Sequence, residues 1–289
     1  MSVASLEAEF RAFRRSRRQA SLFAVGLLAL ALLVSARVSE AYPSALLAGL
    51  PRIGDYFHRL LPHLEPAHLF DGAKTEGSLA YWLYRAPRLA WLLFETSQMA
   101  LLATLMGGTV AFFACFAASA NLVRSKLVYL SARRILELFR TVPDIVYALI
   151  LVWAFGIGPV AGIFAIALHT VGALGKQFAE AVENVDMKPW EAVRSAGGNW
   201  VQAVRFAVLP QVLPNILSYA LLRFEINVRG ATVIGFVGAG GIGQELYEVI
   251  SFNYYEEISA ILLMVILAVA AIDIASEQLR QVAIGRIPA

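Results

Sequence analysis

Three charged residues, Arg223, Glu225 and Arg229, interrupt an otherwise apolar stretch of the sequence. A charge at the centre of a bilayer costs about 2.5–3.5 kcal/mol, so such residues face protein or water and not lipid. The planar guanidinium group of arginine binds oxyanions through two parallel hydrogen bonds. The three residues therefore indicate a polar path for an anion. The alternative is a structural ion pair between Glu225 and Arg229, which are four residues apart.

Four further polar residues are candidates for the same path. Asn227 shares a helix face with Arg223, where an amide and a guanidinium group would lie together. Arg140 could supply another donor to an anion, or it could pair with Asp144 at the same four-residue spacing. His169 lies within an apolar stretch, where a hydrogen bond between helices is a commoner role than a proton relay.

A glycine-rich segment follows these charges. Its glycines at 238, 240 and 243 satisfy the pattern G-x-G-x-x-G of dinucleotide-binding folds. That fold requires a strand, a helix and a second strand in a soluble domain, which apolar spans on either side exclude. We expect Gly238, Gly240, Gly241 and Gly243 to let the backbone leave the helical conformation near the external end of a pathway.

The composition predicts an all-α integral membrane protein. Of the 289 residues, 59% are apolar and 16% charged, against roughly 45–50% and about 25% in soluble domains. The apolar residues come in blocks of about 20, the length that crosses a bilayer as a helix. A secreted or cytosolic enzyme is excluded, and the single cysteine, Cys115, excludes an intrachain disulfide. The net charge of +3 is explained by membrane topology and does not indicate nucleic-acid binding.

Six membrane-spanning helices are predicted, at residues 20–36, 95–118, 142–160, 159–176, 212–234 and 258–276. The first follows a basic segment, residues 1–19, and is interpreted as a retained anchor and not as a cleaved signal peptide. Because positive charge stays on the cytoplasmic side, both chain ends, including the tail 284–289, are expected in the cytoplasm. Residues 37–90 are then periplasmic. Their histidines, His58, His63 and His68, cannot share one helix face, so they do not predict a metal site.

The most informative polar stretch is residues 186–214. It predicts a helix with Glu191 in its first turn, a turn at Gly197 and Gly198, and a second helix from about residue 199 to 208, before a proline. The side chains expected to pack back toward the membrane bundle are Trp190, Val193, Val204 and Phe206.

This stretch resembles the EAA loop of bacterial ABC importer permeases, which has the pattern EAA, three residues, G, nine residues and IxLP. Val193 and Ala207 depart from that pattern by small apolar changes. In the family this loop is the coupling helix that sits in a cleft of the ATP-binding subunit. The positions that the resemblance assigns to coupling are Glu191, Ala192, Gly197, Gly198, Leu209 and Pro210.

The resemblance extends over residues 91–283. The segments FRTVPDIVYALI, GPVAGIFAIALHTVGALGKQFAEAVENV and RFEINVRGATVIGFVGAGGIGQEL are similar to permeases of phosphonate-type importers, whose relatives also carry phosphite or hypophosphite. The resemblance implies a type I ABC importer permease core of the methionine-permease kind, which is a transport subunit and not an enzyme. In that family the glycine segment lies by the periplasmic gate.

The resemblance also implies partners. These are a second copy of the chain, two ATP-binding subunits that carry ATP and magnesium, a periplasmic solute-binding protein and the membrane lipid. The chain itself is expected to bind no cofactor, because Lys176 is followed by Gln177 where a phosphate-binding loop needs Ser or Thr. The alternatives are a permease of the same architecture for another solute, such as methionine, and a secondary transporter that works alone.

Overall fold

The computed structural model describes residues 3–285 and the side chains of residues 9, 10 and 13–282. Two compact units, residues 1–60 and 61–289, are described separately below. All regular structure within residues 3–285 is helical. In chain order the helices are α1 (Val3–Val38), α2 (Pro43–Leu60), α3 (Leu79–Trp82), α4 (Ala86–Ala117), α5 (Lys126–Thr141), α6 (Asp144–Phe155), α7 (Pro159–Glu183), α8 (Lys188–Ser195), α9 (Trp200–Ala203), α10 (Leu209–Ile234), α11 (Gly241–Ser251) and α12 (Tyr255–Gly285).

The first unit consists of α1 and α2. The part of α1 from Phe13 to Val38 is long and apolar enough to cross a membrane, and its apolar side chains are exposed on all sides. Such a helix is stable only in an apolar surrounding, which agrees with the predicted span at 20–36. In α2, by contrast, apolar residues such as Leu46, Leu50 and Phe57 alternate with charged ones at helical spacing.

Helix α7 is the centre of the second unit, because α4, α5, α6 and α10 all pack against it. Its buried side is rich in glycine and alanine. Small residues let helix backbones approach closely, which is the main source of packing energy between helices in a membrane. A Cβ atom added at Gly172 would lie 2.6 Å from the carbonyl oxygen of Leu136 on α5. The bundle is therefore closely packed around α7.

The predicted third span, 142–160, has different bounds in the structure. Residues 119–141 were predicted as a loop, but most of them form α5, which precedes the short apolar helix α6. Both pack on α7, so together they form one pass that is broken at Val142 and Pro143. The break arises because proline has no N–H and restricts the residue before it to an extended conformation. Alone, the 12 residues of α6 would rise only about 18 Å.

Five helical stretches are long and apolar enough to cross a membrane: Phe13–Val38, Ala86–Ala117, Pro159–Glu183, Trp200–Val237 and Tyr255–Val282. They coincide with the other five predicted spans, and each of them extends beyond its predicted span by several residues at one end or both. The largest correction is at 212–234, where the helix begins already at Trp200.

The predicted outer segment, residues 37–90, contains α2 and α3. Two of its histidines contact acidic residues near them in sequence: His68 Nδ1 is 2.7 Å from Asp71 Oδ2, and His63 Nε2 is 3.8 Å from Glu65 Oε1. In the part of the chain that the structure describes, no three His, Cys, Asp or Glu side chains are grouped so as to hold a metal ion. Of the predicted C-terminal tail, residues 286–289 lie outside the described residues, as do residues 1 and 2.

Two adjacent glycines of α4 provide a test of the close packing. A Cβ atom at Gly107 would lie 2.6 Å from the carbonyl oxygen of Ala167 on α7, whereas one at Gly108 would make an ordinary 3.5 Å contact with Leu174. Gly107→Ala is therefore expected to lower stability by about 1–3 kcal/mol through overpacking. Gly108→Ala should be neutral or slightly stabilising. The thermal unfolding midpoints of both variants in detergent measure this, and equal midpoints would contradict the packing described.

Candidate translocation pathway and coupling hairpin

The hairpin, residues 186–203, consists of α8, a glycine turn and α9. Pro189 and Glu191 lie in the first turn of α8, as predicted. Gly197 has a φ of +87°, a left-handed conformation that glycine adopts without strain. The turn closes through a hydrogen bond of 3.0 Å from the Gly198 N–H to the Val193 carbonyl. Glu191, Ala192 and the turn are exposed, apart from the half-buried Gly198, so α8 presents a free surface at its tip.

The hairpin is fastened to the bundle at its base. The Gln211 side chain accepts a hydrogen bond from the Asp186 N–H and donates one to the Asp186 carbonyl, both at 3.1 Å. Trp200 Nε1 donates to the carbonyl of Leu122 at 3.1 Å. Val204 is buried in the hydrophobic core, and the partly buried Trp190 packs against the same core. The prediction for Phe206 was wrong, because its side chain is 64% exposed on the opposite side of the helix.

The second helix of the hairpin does not end before Pro210, as the sequence had suggested. It continues through a five-residue π-helical turn, Val204–Val208, directly into α10. The Leu209 N–H donates a hydrogen bond to the carbonyl of Val204, five residues earlier in the chain. The next residue, Pro210, has no N–H to donate. The extra residue in the turn lets the helix continue past Pro210. The hairpin and α10 are therefore covalently and helically continuous.

The charged residues of α10 point in two directions. Arg223 faces Asp144 of α6, its electrostatic partner, and its Nε atom is buried without a hydrogen-bond partner. Glu225 and Arg229 face α12 instead, where Glu225 Oε1 lies 4.0 Å from Arg280 and Arg229 lies 3.5 Å from Asp273.

The predicted ion pairs are thus replaced by pairs between helices. Arg229 contacts Glu225 only through the backbone, with its Nε donating to the Glu225 carbonyl at 3.3 Å. Asp144 faces Arg223, while Arg140 is exposed at the end of α5. Four-residue spacing permits a pair along one helix, but it does not require one, and here the charges of α10 lie closer to partners on other helices.

Two other candidate residues bind neighbouring helices. Asn227, 3% exposed, donates to the hydroxyl groups of Thr104 and Thr170 at 2.8 and 3.0 Å, which links α10 to α4 and α7. His169 Nδ1 lies 3.0 Å from the carbonyl oxygen of Val142. That carbonyl lies at the break between α5 and α6, where helical hydrogen bonds are interrupted. His169 therefore satisfies a backbone group that the break leaves free.

The gate segment, residues 235–243, leaves the α-helical conformation at residues 235–240, as predicted for Gly238 and Gly240. Gly243 was predicted to be irregular as well, but it lies in the first turn of α11. Gly238, Gly240 and Gly241 have positive φ angles. The Gly238 carbonyl accepts a hydrogen bond of 2.9 Å from the N–H of Gly158, and the Ile242 N–H donates to the hydroxyl oxygen of Thr96 at 2.9 Å. A side chain at Gly241 or Gly243 would collide with Thr96 or with the Thr232 carbonyl. The irregular backbone is thus enclosed by α4, α7 and α10.

An ion network that the sequence analysis missed lies at the same end of the bundle, which we call the gate end. Arg85 binds Glu245 of α11 and Glu257 of α12, and Arg88 contacts Glu245 at 2.9 Å. The Glu245 side chain is only 7% exposed. Tyr84 donates to Glu257 at 3.1 Å. The network joins the N-terminus of α4 to two helices that lie more than 150 residues later in the sequence. The signal in the sequence was weak, because charges of both signs beside apolar spans do not indicate which of them form pairs.

The network is charged and ordered. Burial lowers the pKa of Arg85, but its hydrogen bond to Glu257 and the charge of Glu245 outweigh this, and the pKa of Arg85 is raised. Burial, together with the neighbouring Glu257 carboxylate, raises the pKa of the Tyr84 hydroxyl. Arg85 therefore remains a cation and Tyr84 a hydrogen-bond donor at neutral pH.

Comparison with known proteins agrees with this architecture. Residues 79–287 match the family described as the binding-protein-dependent transport system inner membrane component. The phosphite transport system permease protein PtxC of Stutzerimonas stutzeri is 40% identical over 66% of this chain and 70% of its own length. The phosphate-import permease protein PhnE of Mycolicibacterium smegmatis is 33% identical over 87% of this chain and 44% of its own length.

Among solved structures, the methionine ABC transporter MetNI in an inward-facing conformation has a TM-score of 0.59 at 22% identity. The match covers 68% of this chain and 95% of the transporter chain, and it shows a shared fold. The resemblance found in the sequence is therefore confirmed, and the fold is that of type I ABC importer permeases. The chain belongs to the family of inner-membrane permease components of binding-protein-dependent transport systems.

Proposed function

We propose that two copies of this chain form the membrane pathway of an ATP-driven importer for a phosphorus oxyanion: a phosphonate, phosphite or hypophosphite. The observation that carries the proposal is the exposed hairpin with the coupling residues at its tip, in a chain whose relatives are named for phosphite and phosphate import. ATP would be hydrolysed on two separate ATP-binding subunits, with magnesium. A periplasmic solute-binding protein would deliver the anion.

The distribution of basic residues supports an orientation with the hairpin and both chain ends in the cytoplasm. Arg124 and Lys126 are exposed at the end of the bundle that carries the hairpin, which we call the hairpin end. At the gate end, Arg85 and Arg88 bind Glu245 and Glu257. Excess positive charge is retained on the cytoplasmic side of bacterial membranes.

Coupling would act through the hairpin and α10 as one unit. The tip of α8, with Glu191, Ala192 and Gly197, would sit in a cleft of the ATP-binding subunit. The paired hydrogen bonds between Asp186 and Gln211 hold the base of the hairpin to α10. A displacement of the tip would therefore move α10, and with it the gate segment at the other end of the same helix.

Arg223 would be the anion-contacting residue of the pathway. It is half-buried, and its Nε lacks a hydrogen-bond partner. Its counter-charge is Asp144, with which it interacts electrostatically. A guanidinium group with free donors matches a phosphorus oxyanion. Arg140, exposed nearby at the end of α5, would add a second positive charge. Asn227, His169, Glu225 and Arg229 would hold the helices around this path.

The second copy would pack against α6. This helix exposes an apolar stripe at helical spacing, formed by Val146, Leu149, Ile150 and Trp153. Asp144 lies at the start of the same helix, so pairing there would place the two charged paths close to the twofold axis. Closed twofold pairing is the commonest arrangement of identical subunits.

Transport measurements test the solute. Proteoliposomes containing the chain, its ATP-binding subunits and its binding protein are expected to accumulate phosphite or a phosphonate only when ATP is supplied. Methionine, which has no net negative charge, should be transported at least about tenfold more slowly, since pairing of a charged oxyanion contributes roughly 1.5–3 kcal/mol. Preferred uptake of methionine would refute the assigned solute class, and uphill uptake without the ATP-binding subunits would refute the importer.

Substitutions at the hairpin tip test the coupling. Glu191→Lys reverses an exposed charge and should leave the fold intact. Gly197→Val places a branched side chain at a φ of +87°, which costs about 1–2 kcal/mol locally. Both are expected to lower ATP-driven uptake and retention of the ATP-binding subunits on purification. Glu180→Lys, an exposed charge on α7, is the matched control. Normal uptake by both hairpin variants would exclude this surface as the coupling site.

A pair of double variants separates an anion contact from a structural role for Arg223. Arg223→Gln/Asp144→Asn removes both charges, so it should fold but take up the anion at least about tenfold less efficiently, through a raised KM. Arg229→Gln/Asp273→Asn removes the comparable pair that faces α12 and should transport normally. Wild-type KM values in the first double variant, measured in proteoliposomes, would assign Arg223 to packing alone.

A further inference from the structure

A cavity of about 900 Å³ lies at the hairpin end of the bundle, separate from the charged path along α10. Its walls are the last turn of α4, the loop that follows it, the first turn of α5 and the inner side of the hairpin. The volume falls within the range of about 300–1,000 Å³ that is usual for sites of small ligands. Neither the coupling surface nor the proposed pathway uses it.

The cavity has a positively charged rim. Arg124 and Arg194 both line it, and none of the described residues that line it is acidic. The Gly198 carbonyl accepts a hydrogen bond of 2.8 Å from Arg194 Nη1, which holds that guanidinium group at the rim. A guanidinium group has five N–H donors, so both arginines keep donors for an anion. The charge therefore favours a phosphate group.

The opposite wall is apolar and faces outward. Phe113, on the last turns of α4, is 69% exposed, and Val128, in the first turn of α5, is 48% exposed. Both belong to apolar helix faces, and α4 is one of the helices that can cross a membrane. Trp190 and Trp200 line the same cavity, and tryptophan is favoured at the boundary between hydrocarbon and water. The cavity thus runs from a polar rim to a lipid-facing surface.

From this arrangement we propose that the cavity binds an anionic phospholipid, with its phosphate between Arg124 and Arg194 and its acyl chains along Phe113 and Val128. A zwitterionic lipid has the same acyl chains but no net charge to match the two arginines. A free phosphate ion would match the arginines but not the apolar wall. Only an anionic lipid complements both ends of the cavity.

The coupling surface does not compete with this site. Trp190 and Arg194 are four residues apart and share the inner face of α8, whereas Glu191 and Ala192 lie on its exposed face. An ATP-binding subunit that holds the outer face of α8 therefore leaves the cavity open to lipid. The bound lipid would fasten the hairpin to α4 and α5 beside the hydrogen bond from Trp200 to Leu122.

Native mass spectrometry of the full-length chain, purified with its ATP-binding subunits and stripped of lipid, tests the proposal. Phosphatidylglycerol should bind more tightly than phosphatidylcholine, and inorganic phosphate should not displace it. Arg124→Gln/Arg194→Gln is expected to weaken phosphatidylglycerol binding roughly 10- to 30-fold. Arg205→Gln, which removes an exposed arginine beside Phe206 outside the cavity, should bind as the wild type does.

Three results would overturn the proposal: equal binding of the two lipids, displacement by phosphate, or unchanged binding by the double variant. A second measurement does not depend on the folding of that variant. Phosphatidylglycerol with brominated acyl chains should quench the tryptophan fluorescence of the wild-type chain more than brominated phosphatidylcholine does. Trp190→Phe should remove part of this excess, because Trp200 also lines the cavity. Equal quenching by the two lipids would also overturn it. These readouts need no transport, so they are independent of the proposed solute.

Discussion

The close approach of helix backbones around α7 is the constraint on which the remaining structure depends. Helices in a bilayer gain little from hydrophobic burial against one another and associate through packing and hydrogen bonds. Small residues on α7, together with Gly107 on α4, bring the neighbouring backbones into contact. Only at that distance can Asn227 bond to Thr104 and Thr170 at once. The close approach of the helices thus places the amide of Asn227 within reach of hydroxyl groups on two neighbouring helices.

The same packing makes three interruptions of regular helix possible. Free backbone groups are too costly in hydrocarbon, so irregular backbone occurs only where protein encloses it. At the break between α5 and α6, His169 lies within hydrogen-bond distance of the Val142 carbonyl. In the gate segment, the Gly238 carbonyl accepts a hydrogen bond from the Gly158 N–H, and the Ile242 N–H donates one to the Thr96 hydroxyl. At Pro210 a π-helical turn keeps the helix intact.

These features divide the molecule into a mobile part and a fixed part in our proposal. The hairpin, α10 and the gate segment form one continuous stretch of chain, and the bonds of Gln211 to Asp186 stiffen its base. The fixed part consists of α4 and α7. At the gate end Arg85 connects α4 with α11 and α12 through the buried carboxylate of Glu245 and the half-buried carboxylate of Glu257. In our proposal, a movement of α11 or α12 relative to α4 would have to break contacts of this ion network.

Much of this protein followed from the sequence alone. Long apolar blocks determine membrane spans because hydrocarbon thickness sets helix length. The glycines at 197 and 238 marked left-handed turns because other residues are strained there. The hairpin was found for the same local reasons, with the spacing of Glu191, Gly197 and Pro210 indicating its family.

Only the tertiary structure decided which charges meet. Glu225 and Arg229 have the spacing of a helical pair, but α12 offers each a partner more than 40 residues away. The third pass was misplaced because α5 carries charges that resemble a loop, although α7 packs against one of its faces. Phe206 was assigned to the core because hydrophobicity does not specify which face of a helix is covered. Long-range pairing depends on how helices are arranged around α7, and local spacing contains no information about that arrangement.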